Sequence, residues 1–149
     1  MRWHIKHFEN LSSRELYGLL SLRCEVFIVE QVAYQDPDGL DPGCFHIFAE
    51  DNGKIAACLR IIPPGLIYPQ AGIGRLCVKK EFRKRGLAHR MLDMACAFCR
   101  ETFGDLPIRL DAQSYLLSFY KSHGFSPCGP GFLEDGIPHT PMLKEPAKS

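Results

Sequence analysis

Ile73-Gly74-Arg75-Leu76-Cys77-Val78, then Lys79-Lys80-Glu81-Phe82, then Arg83-Lys84-Arg85-Gly86-Leu87-Ala88, running on to Arg100, is the stretch that decides the reading of this chain. Its opening residues predict a short buried strand. Its end predicts a helix, because Leu87, Met91, Ala95 and Phe98 recur at spacings of three or four along one face. Between them lies a tight turn with three basic side chains and one glycine. A strand, a basic glycine-containing turn and a helix start together make an anion site. The N–H groups of a first helical turn have no intrahelical partner, and the helix dipole favours negative charge there. Gly86 removes a Cβ from the path of a ligand, and the arginines can fork onto phosphate oxygens. The turn has neither the Gly-Lys-Ser/Thr ending of a P-loop nor a G-x-G-x-x-G run. The plain alternative is a solvated basic helix start.

Working outward, Phe103-Gly104-Asp105-Leu106-Pro107 stops the helix. Ile108, Leu110 and Ala112 read as one side of a further strand, with Arg109 and Asp111 on the other. Gln113 to His123 predicts a second helical segment, with Leu116, Phe119, Tyr120 and His123 at helical spacing and Gly124 just beyond. Phe125 and the residues after Gly131 suggest short closing strands whose pairing Pro138 and Pro141 limit. Upstream, Trp3, Ile5 and His7 alternate as a first strand, and Ser12 with Glu15 makes a capping box. Leu16, Leu19 and Leu20 begin a helical period that continues through Arg23 to Phe27. Asp36-Pro37-Asp38-Gly39-Leu40-Asp41-Pro42-Gly43 is turn chemistry and clusters carboxylates; a calcium loop is an open reading, without EF-hand spacing. Phe45 to Glu50 and Lys54 to Ile62 flank Asp51-Asn52-Gly53, a hairpin signature. Pro63-Pro64-Gly65 ends the second of these strands, and Ile67 to Gln70 links to the central strand or begins pairing with it. Hairpins mixed with helical crossovers predict an α+β, or mixed α/β, sheet layered with helices.

The chain has 149 residues, a length suited to one domain spanning 1–149 with a real core. A net charge of +1 gives no electrostatic footprint for nucleic acid. No apolar run reaches the roughly 18 residues of a membrane span, and Met1 to His7 lack the apolar core of a signal peptide. Seven cysteines, an odd number, suit reduced thiols and a cytoplasmic location. Cys96 and Cys99 fall inside the predicted helix and read as packing residues rather than a redox or metal pair. No metal is expected.

Arg83, Gly86 and Ala88 resemble the R/Q-x-x-G-x-G/A pyrophosphate motif of GNAT-family acetyltransferases. Phe119, Tyr120, Gly124 and Phe125 resemble that family's apolar-Tyr-x-x-x-Gly-Phe pattern, and Gln113 stands where many members have Asn. The two motifs occur in the family's order with one strand between them. Leu22-Arg23-x-Glu25-Val26-Phe27-x-Val29-Glu30-Gln31, Tyr34-Gln35-Asp36-x-Asp38-Gly39-x-Asp41 and Glu134-Asp135-Gly136-Ile137-Pro138-His139 are similar to the ElaA branch of that superfamily. The resemblance covers nearly the whole chain.

The resemblance implies a mostly antiparallel sheet that splays after its fourth strand to make a cleft for acetyl-coenzyme A. Arg83, Lys84, Arg85, Gly86, Leu87 and Ala88 would hold the pyrophosphate. Leu76, Cys77 and Val78 would offer strand backbone to the pantetheine arm, and Gln113 would lie beside it. The acetyl group would pass directly to an amine of a small molecule or peptide, with Tyr120 as general acid for the departing thiolate. The base is open among Glu30, Asp36, Asp38, His46 and His139, with Glu30 and His139 preferred for their place in the branch-like stretches. Cys77 as a covalent nucleophile is a minor reading, since no residue is positioned by sequence to activate it. The carboxylates of the Asp36–Asp41 loop would favour a cationic acceptor. A homodimer is an open expectation; nucleic-acid and membrane partners are not expected. Two rivals stand beside this reading. Arg23, Phe27 and the Asp36/Asp38/Asp41 loop also look like acyl-homoserine-lactone synthases, although the tryptophan expected between them is absent. A non-catalytic acyl-coenzyme A-binding or interaction domain is the other.

Overall fold

The computed structural model describes residues 1–31 and 36–146. Tyr34 and Gln35 of the branch-like stretch lie outside the described residues. Strand β1 (Arg2–His7) leads to helix α1 (Ser13–Arg23), then β2 (Phe45–Asp51), β3 (Lys54–Ile62) and β4 (Ala71–Val78). Helix α2 (Leu87–Phe103), β5 (Ile108–Gln113), the short helix α3 (Leu117–Lys121), and strands β6 (Ser126–Pro127), β7 (Phe132–Glu134) and β8 (Ile137–Lys144) complete the chain. The strands form one sheet in the order β1-β2-β3-β4-β5-β8-β6, with β7 also on β8. Every pair is antiparallel except β4–β5. No helix of the described residues is long and apolar enough to cross a membrane.

Local signals explain most of these elements. Ser12 Oγ accepts from the Glu15 N–H at 3.1 Å and Glu15 Oε1 accepts from the Ser12 N–H at 2.8 Å, the expected capping box, worth about 1 kcal/mol. Asn52 and Gly53 both take positive φ, 49° and 78°, which is what a two-residue turn needs to match strand twist. The period-2 alternation sends the sheet's side chains to two separate cores. Ile47, Leu59 and Ile61 pack with Met91, Leu92 and Ala95 of α2. Phe48, Cys58 and Cys77 pack with Leu19, Leu22 and Val26 on the α1 side. Met91 and Leu92 are fully buried, each contributing roughly 1.5–3 kcal/mol. Cys96 and Cys99 lie in the same stripe; burial raises both thiols, Cys99 to about 12, as suits packing groups.

Four expectations change or are narrowed. The helical period after α1 continues as a wider turn over Cys24–Glu30, where the Gln31 N–H reaches the Val26 carbonyl at 3.1 Å. Gln113 does not start a helix: it is the last residue of β5, opposite His139. Pro138 and Pro141 do not shorten β8, which pairs with β5 from Ile108–Lys144 to Gln113–His139. A residue's N–H and C=O point to the same side of a strand. The Pro141 carbonyl accepts from the Cys128 N–H at 2.9 Å, so its missing donor falls on the short β6 side and the β5 ladder is untouched. The Ile67–Gln70 segment forms a turn rather than a strand, closed by Gly65 N–H on Tyr68 O at 2.7 Å.

Candidate active site

Strands β4 and β5 pair only at Ala71–Ile108 and Gly72–Arg109. Beyond Gly72 they diverge, so β4 keeps β3 on one side and has an open edge on the other. Lys79 N–H bonds Ala56 O across β3 at 2.8 Å. By alternation the backbone of Val78, and of Leu76, points to the open edge. A bulge sets this edge: Cys58 pairs with Cys77 and Arg60 with Gly74, leaving Arg75 and Leu76 opposite Leu59. Arg75 sits at φ 51°, unusual for a side chain other than glycine.

The divergence opens a cavity of about 980 Å³, at the upper end of ligand-pocket sizes. Leu76, Cys77, Val78, Arg83, Lys84, Gly86, Leu87, Ala88, Gln113, Tyr120, Glu30 and His139 all line it. Among the predicted coenzyme-binding residues Arg85 is the exception. Its guanidinium lies 5.2 Å over the Phe82 ring and donates to Glu81 O at 3.4 Å.

At one end, Gly86 caps α2 at φ 75° with no side-chain cap, and no acidic residue occupies the first turn. A Cβ on Gly86 would meet nothing within 4 Å, so the glycine is required by backbone conformation rather than by a close neighbour. Lys84 before it is also left-handed, at φ 65°. Arg83 Nε donates to Val78 O at 2.9 Å, and its Nη2 grips both oxygens of Glu30 at 3.0 and 2.9 Å. Toward the other end, Tyr120 is 7% exposed with its ring against Phe119 and Phe125. Gln113 Nε2 donates to Gln31 Oε1 at 3.0 Å. His139 is 2% exposed; its Nδ1 lies 2.8 Å from Ile137 O and its Nε2 3.7 Å from Glu134. A ring nitrogen beside a carbonyl must carry the hydrogen, so Nδ1 is the donor to Ile137 O.

The loop carboxylates read very differently in three dimensions. Arg23 binds Asp36 and Asp41, Arg60 binds Asp38 and Asp41, and Arg75 binds Asp36 and Asp38. Three acids and three arginines thus close a ring in which each acid has two partners. The carboxylates of the acidic loop expected to draw a cationic acceptor are engaged by guanidinium groups, which compete for the same oxygens that the calcium reading needs. As bases Asp38 and Asp41 are poor, and Asp36 does not line the cavity. Burial opposes ionisation of Asp38, but Arg60, the Leu40 N–H and Arg75 bring it down to about 2. Burial also opposes ionisation of Asp41, and Arg23 and Arg60 overcome it. His46 is buried at 3% exposure, with Nε2 3.3 Å from Asp41 O, and burial lowers its pKa. It does not line the cavity. Cys77 is poorly suited to act as a nucleophile: its sulfur lies 3.5 Å from Cys58 Sγ, and that contact, then burial, raises its pKa well above the usual thiol value.

Acid is expected to loosen this ring. A carboxyl depressed from its ordinary 3.8 to about 2 stabilises the fold above pH 3.8; that contribution is lost as the pH falls through about 2. Melting temperature should drop steeply below about pH 4, and Asp38→Asn should flatten that drop. An unaltered acid limb in Asp38→Asn would place the sensitivity elsewhere.

Sequence reasoning missed Tyr68, whose hydroxyl donates to Asp111 at 2.9 Å across the cavity wall. Nor did it single out Arg60 and Arg75, or His89 at the start of α2, all of which line the cavity. Their partners come from distant segments, which local patterns do not report.

The family model described as an acetyltransferase (GNAT) domain matches residues 13–146. A UPF0039 protein of Mycobacterium tuberculosis is 43% identical over 146 residues, covering 91% of this chain and 88% of that protein. Protein ElaA of Escherichia coli is 36% identical over 148 residues, 97% of each chain. Its crystal structure superposes with a TM-score of 0.90, covering 97% of this chain and 99% of that one. An acyl-CoA N-acyltransferase structure from Pseudomonas aeruginosa is 38% identical at a TM-score of 0.92, covering 96% of this chain and 98% of that one. The AHL synthase LasI, at 15% identity and a TM-score of 0.76, shares the fold alone. The chain therefore belongs to the GNAT acetyltransferase family, in the branch that includes ElaA.

Proposed function

We propose that this protein transfers an acetyl group from acetyl-coenzyme A directly to a primary amine of a small molecule or peptide. The observation that carries the reading is the junction of the open β4 edge with the uncapped start of α2 in one cavity. A pyrophosphate would sit on the first-turn N–H groups of α2, beside Arg83 and Lys84. The amide-rich pantetheine arm would pair with the Leu76–Val78 backbone as an added strand. A β4 N–H would then polarise the thioester carbonyl and stabilise the oxyanion.

The amine nitrogen attacks the thioester carbon, and the C–S bond breaks as the tetrahedral intermediate collapses. Tyr120 donates its phenolic proton to the departing sulfur. His139 Nε2 takes the proton lost by the amine, with the ring oriented by Nδ1 on the Ile137 carbonyl. Glu30 is less suited to be the base, because both its oxygens hold Arg83; orienting that guanidinium is its better role. The homoserine-lactone reading loses ground to the intact Arg83–Ala88 turn, and binding of S-adenosylmethionine would revive it.

Calorimetry with acetyl-coenzyme A tests the reading. Wild type should bind in the micromolar range. The double variant Arg83→Ala, Gly86→Glu should bind at least about a hundredfold more weakly, because it removes a charge-assisted donor and puts a carboxylate in the cradle. No binding by folded wild type would remove the acyltransferase reading.

A further inference from the structure

A chain of three side chains runs from the protein surface to the cavity. Asp93 Oδ1 on α2 lies 2.9 Å from His123 Nδ1, just past α3, and His123 Nε2 lies 2.8 Å from His89 Nδ1. His89 is the third residue of α2, directly after Gly86-Leu87-Ala88, and it lines the cavity. Its ring packs on Phe119 at 4.7 Å and stacks on His123 at 5.0 Å. The His123 side chain is 8% exposed, while that of Asp93 is 74% exposed.

The chain has a direction. An ionised carboxylate only accepts, so His123 Nδ1 must carry a hydrogen. In the neutral ring His123 Nε2 is then an acceptor, and His89 Nδ1 must carry the hydrogen that meets it. His89 Nε2, at the opposite edge of the ring, is left as a lone pair. A phosphate oxygen is also an acceptor and can bind Nε2 only if that nitrogen gains a proton. The added charge would be shared along the histidine pair and balanced by Asp93.

We propose that His89 is a further coenzyme-binding residue, one whose Nε2–H donates to a phosphate oxygen and whose engagement draws one proton from solvent into the Asp93–His123–His89 chain. This rests on the acyl-coenzyme A reading of the cavity. The other charges nearby are otherwise engaged or already on the ligand side. On α2, Arg90 lies 5.0 Å over the Trp3 ring. In the preceding turn Arg83 holds Glu30 and Arg85 stacks on Phe82, while Lys84 lines the cavity as a second cation. Because binding consumes a proton, affinity falls as the pH rises through the histidine range.

The test is calorimetry with 3′-dephospho-coenzyme A, which lacks the phosphate monoester that would itself titrate near neutrality. Titrations at pH 7 in two buffers of different ionisation enthalpy give the number of protons taken up. Wild type should take up a substantial fraction of one proton, and its dissociation constant should rise severalfold from pH 6 to pH 8. His89→Gln should bind severalfold more weakly at pH 6 and lose both the uptake and the pH dependence. His123→Asn should reduce the uptake with His89 still present. Equal proton uptake and equal affinity in wild type and a folded His89→Gln would overturn this inference and leave the acyltransferase reading intact. Absence of binding by wild type would overturn both.

Discussion

Arg23→Met should cost about 3–5 kcal/mol of folding stability, the range for breaking a buried ion pair from one side. Arg23 is 2% exposed and closes the ring between Asp36 and Asp41. Its Nε reaches Asp36 at 2.8 Å, and its Nη1 and Nη2 reach Asp41 at 2.7 and 3.2 Å. Burial alone would disfavour its charge, but the two carboxylates more than compensate and raise its pKa. Removing the guanidinium leaves two ionised carboxylates in a dry site, each with one arginine instead of two. Methionine fills much of the volume, so the loss reports charge rather than a void. Lys6→Met is the matched control. That lysine pairs with Glu15 at 2.9 Å but is 33% exposed, and its loss should cost less than about 1 kcal/mol. Urea unfolding of both variants reads the difference. A loss below about 1 kcal/mol for Arg23→Met would mean that the ring contributes little to holding the Asp36–Asp41 segment in place.

The same ring shows where local sequence stops being informative. Asp36-Pro37-Asp38-Gly39 announces turns, and that much is local chemistry. Whether its carboxylates meet a metal, a substrate or arginines depends on Arg60 in β3 and Arg75 in the β4 bulge, dozens of residues away. The anion cradle was legible for the opposite reason. A strand, a basic turn and a helix start follow one another in the chain, so the Arg83–Ala88 geometry is written in one stretch. Tyr120 was legible as part of a contiguous Tyr-to-Phe125 pattern, while His89, which lines the same cavity, has its partners in and just past α3, far along the chain, and carried no local signal. Pro138 and Pro141 misled because the cost of a proline depends on which neighbour its missing N–H would have faced. That direction is set by sheet order, which the residues around a proline do not encode.

On the proposed mechanism, Tyr120→Phe should lower kcat with an amine acceptor about a hundredfold to a thousandfold while leaving the dissociation constant for acetyl-coenzyme A nearly unchanged. The substitution removes one oxygen and keeps the ring. The Tyr120 ring packs edge-on against Phe119 at 5.0 Å and Phe125 at 6.1 Å, contacts that phenylalanine reproduces. A drop in kcat without a drop in melting temperature would therefore belong to the hydroxyl. The size follows from the leaving group. A thiol titrates near ~8.5, so its thiolate is a fair leaving group even without a proton donor. General-acid help is thus worth less here than for an alkoxide, which keeps the expected loss below the upper end of acid–base effects. Full activity in Tyr120→Phe would end the general-acid assignment and leave protonation to water or to the acceptor's own ammonium. Weakened coenzyme binding with kcat preserved would instead make the hydroxyl a binding group. The kcat-against-Kd split decides among these, since only a proton donor acting on the departing sulfur changes the chemical step and nothing before it.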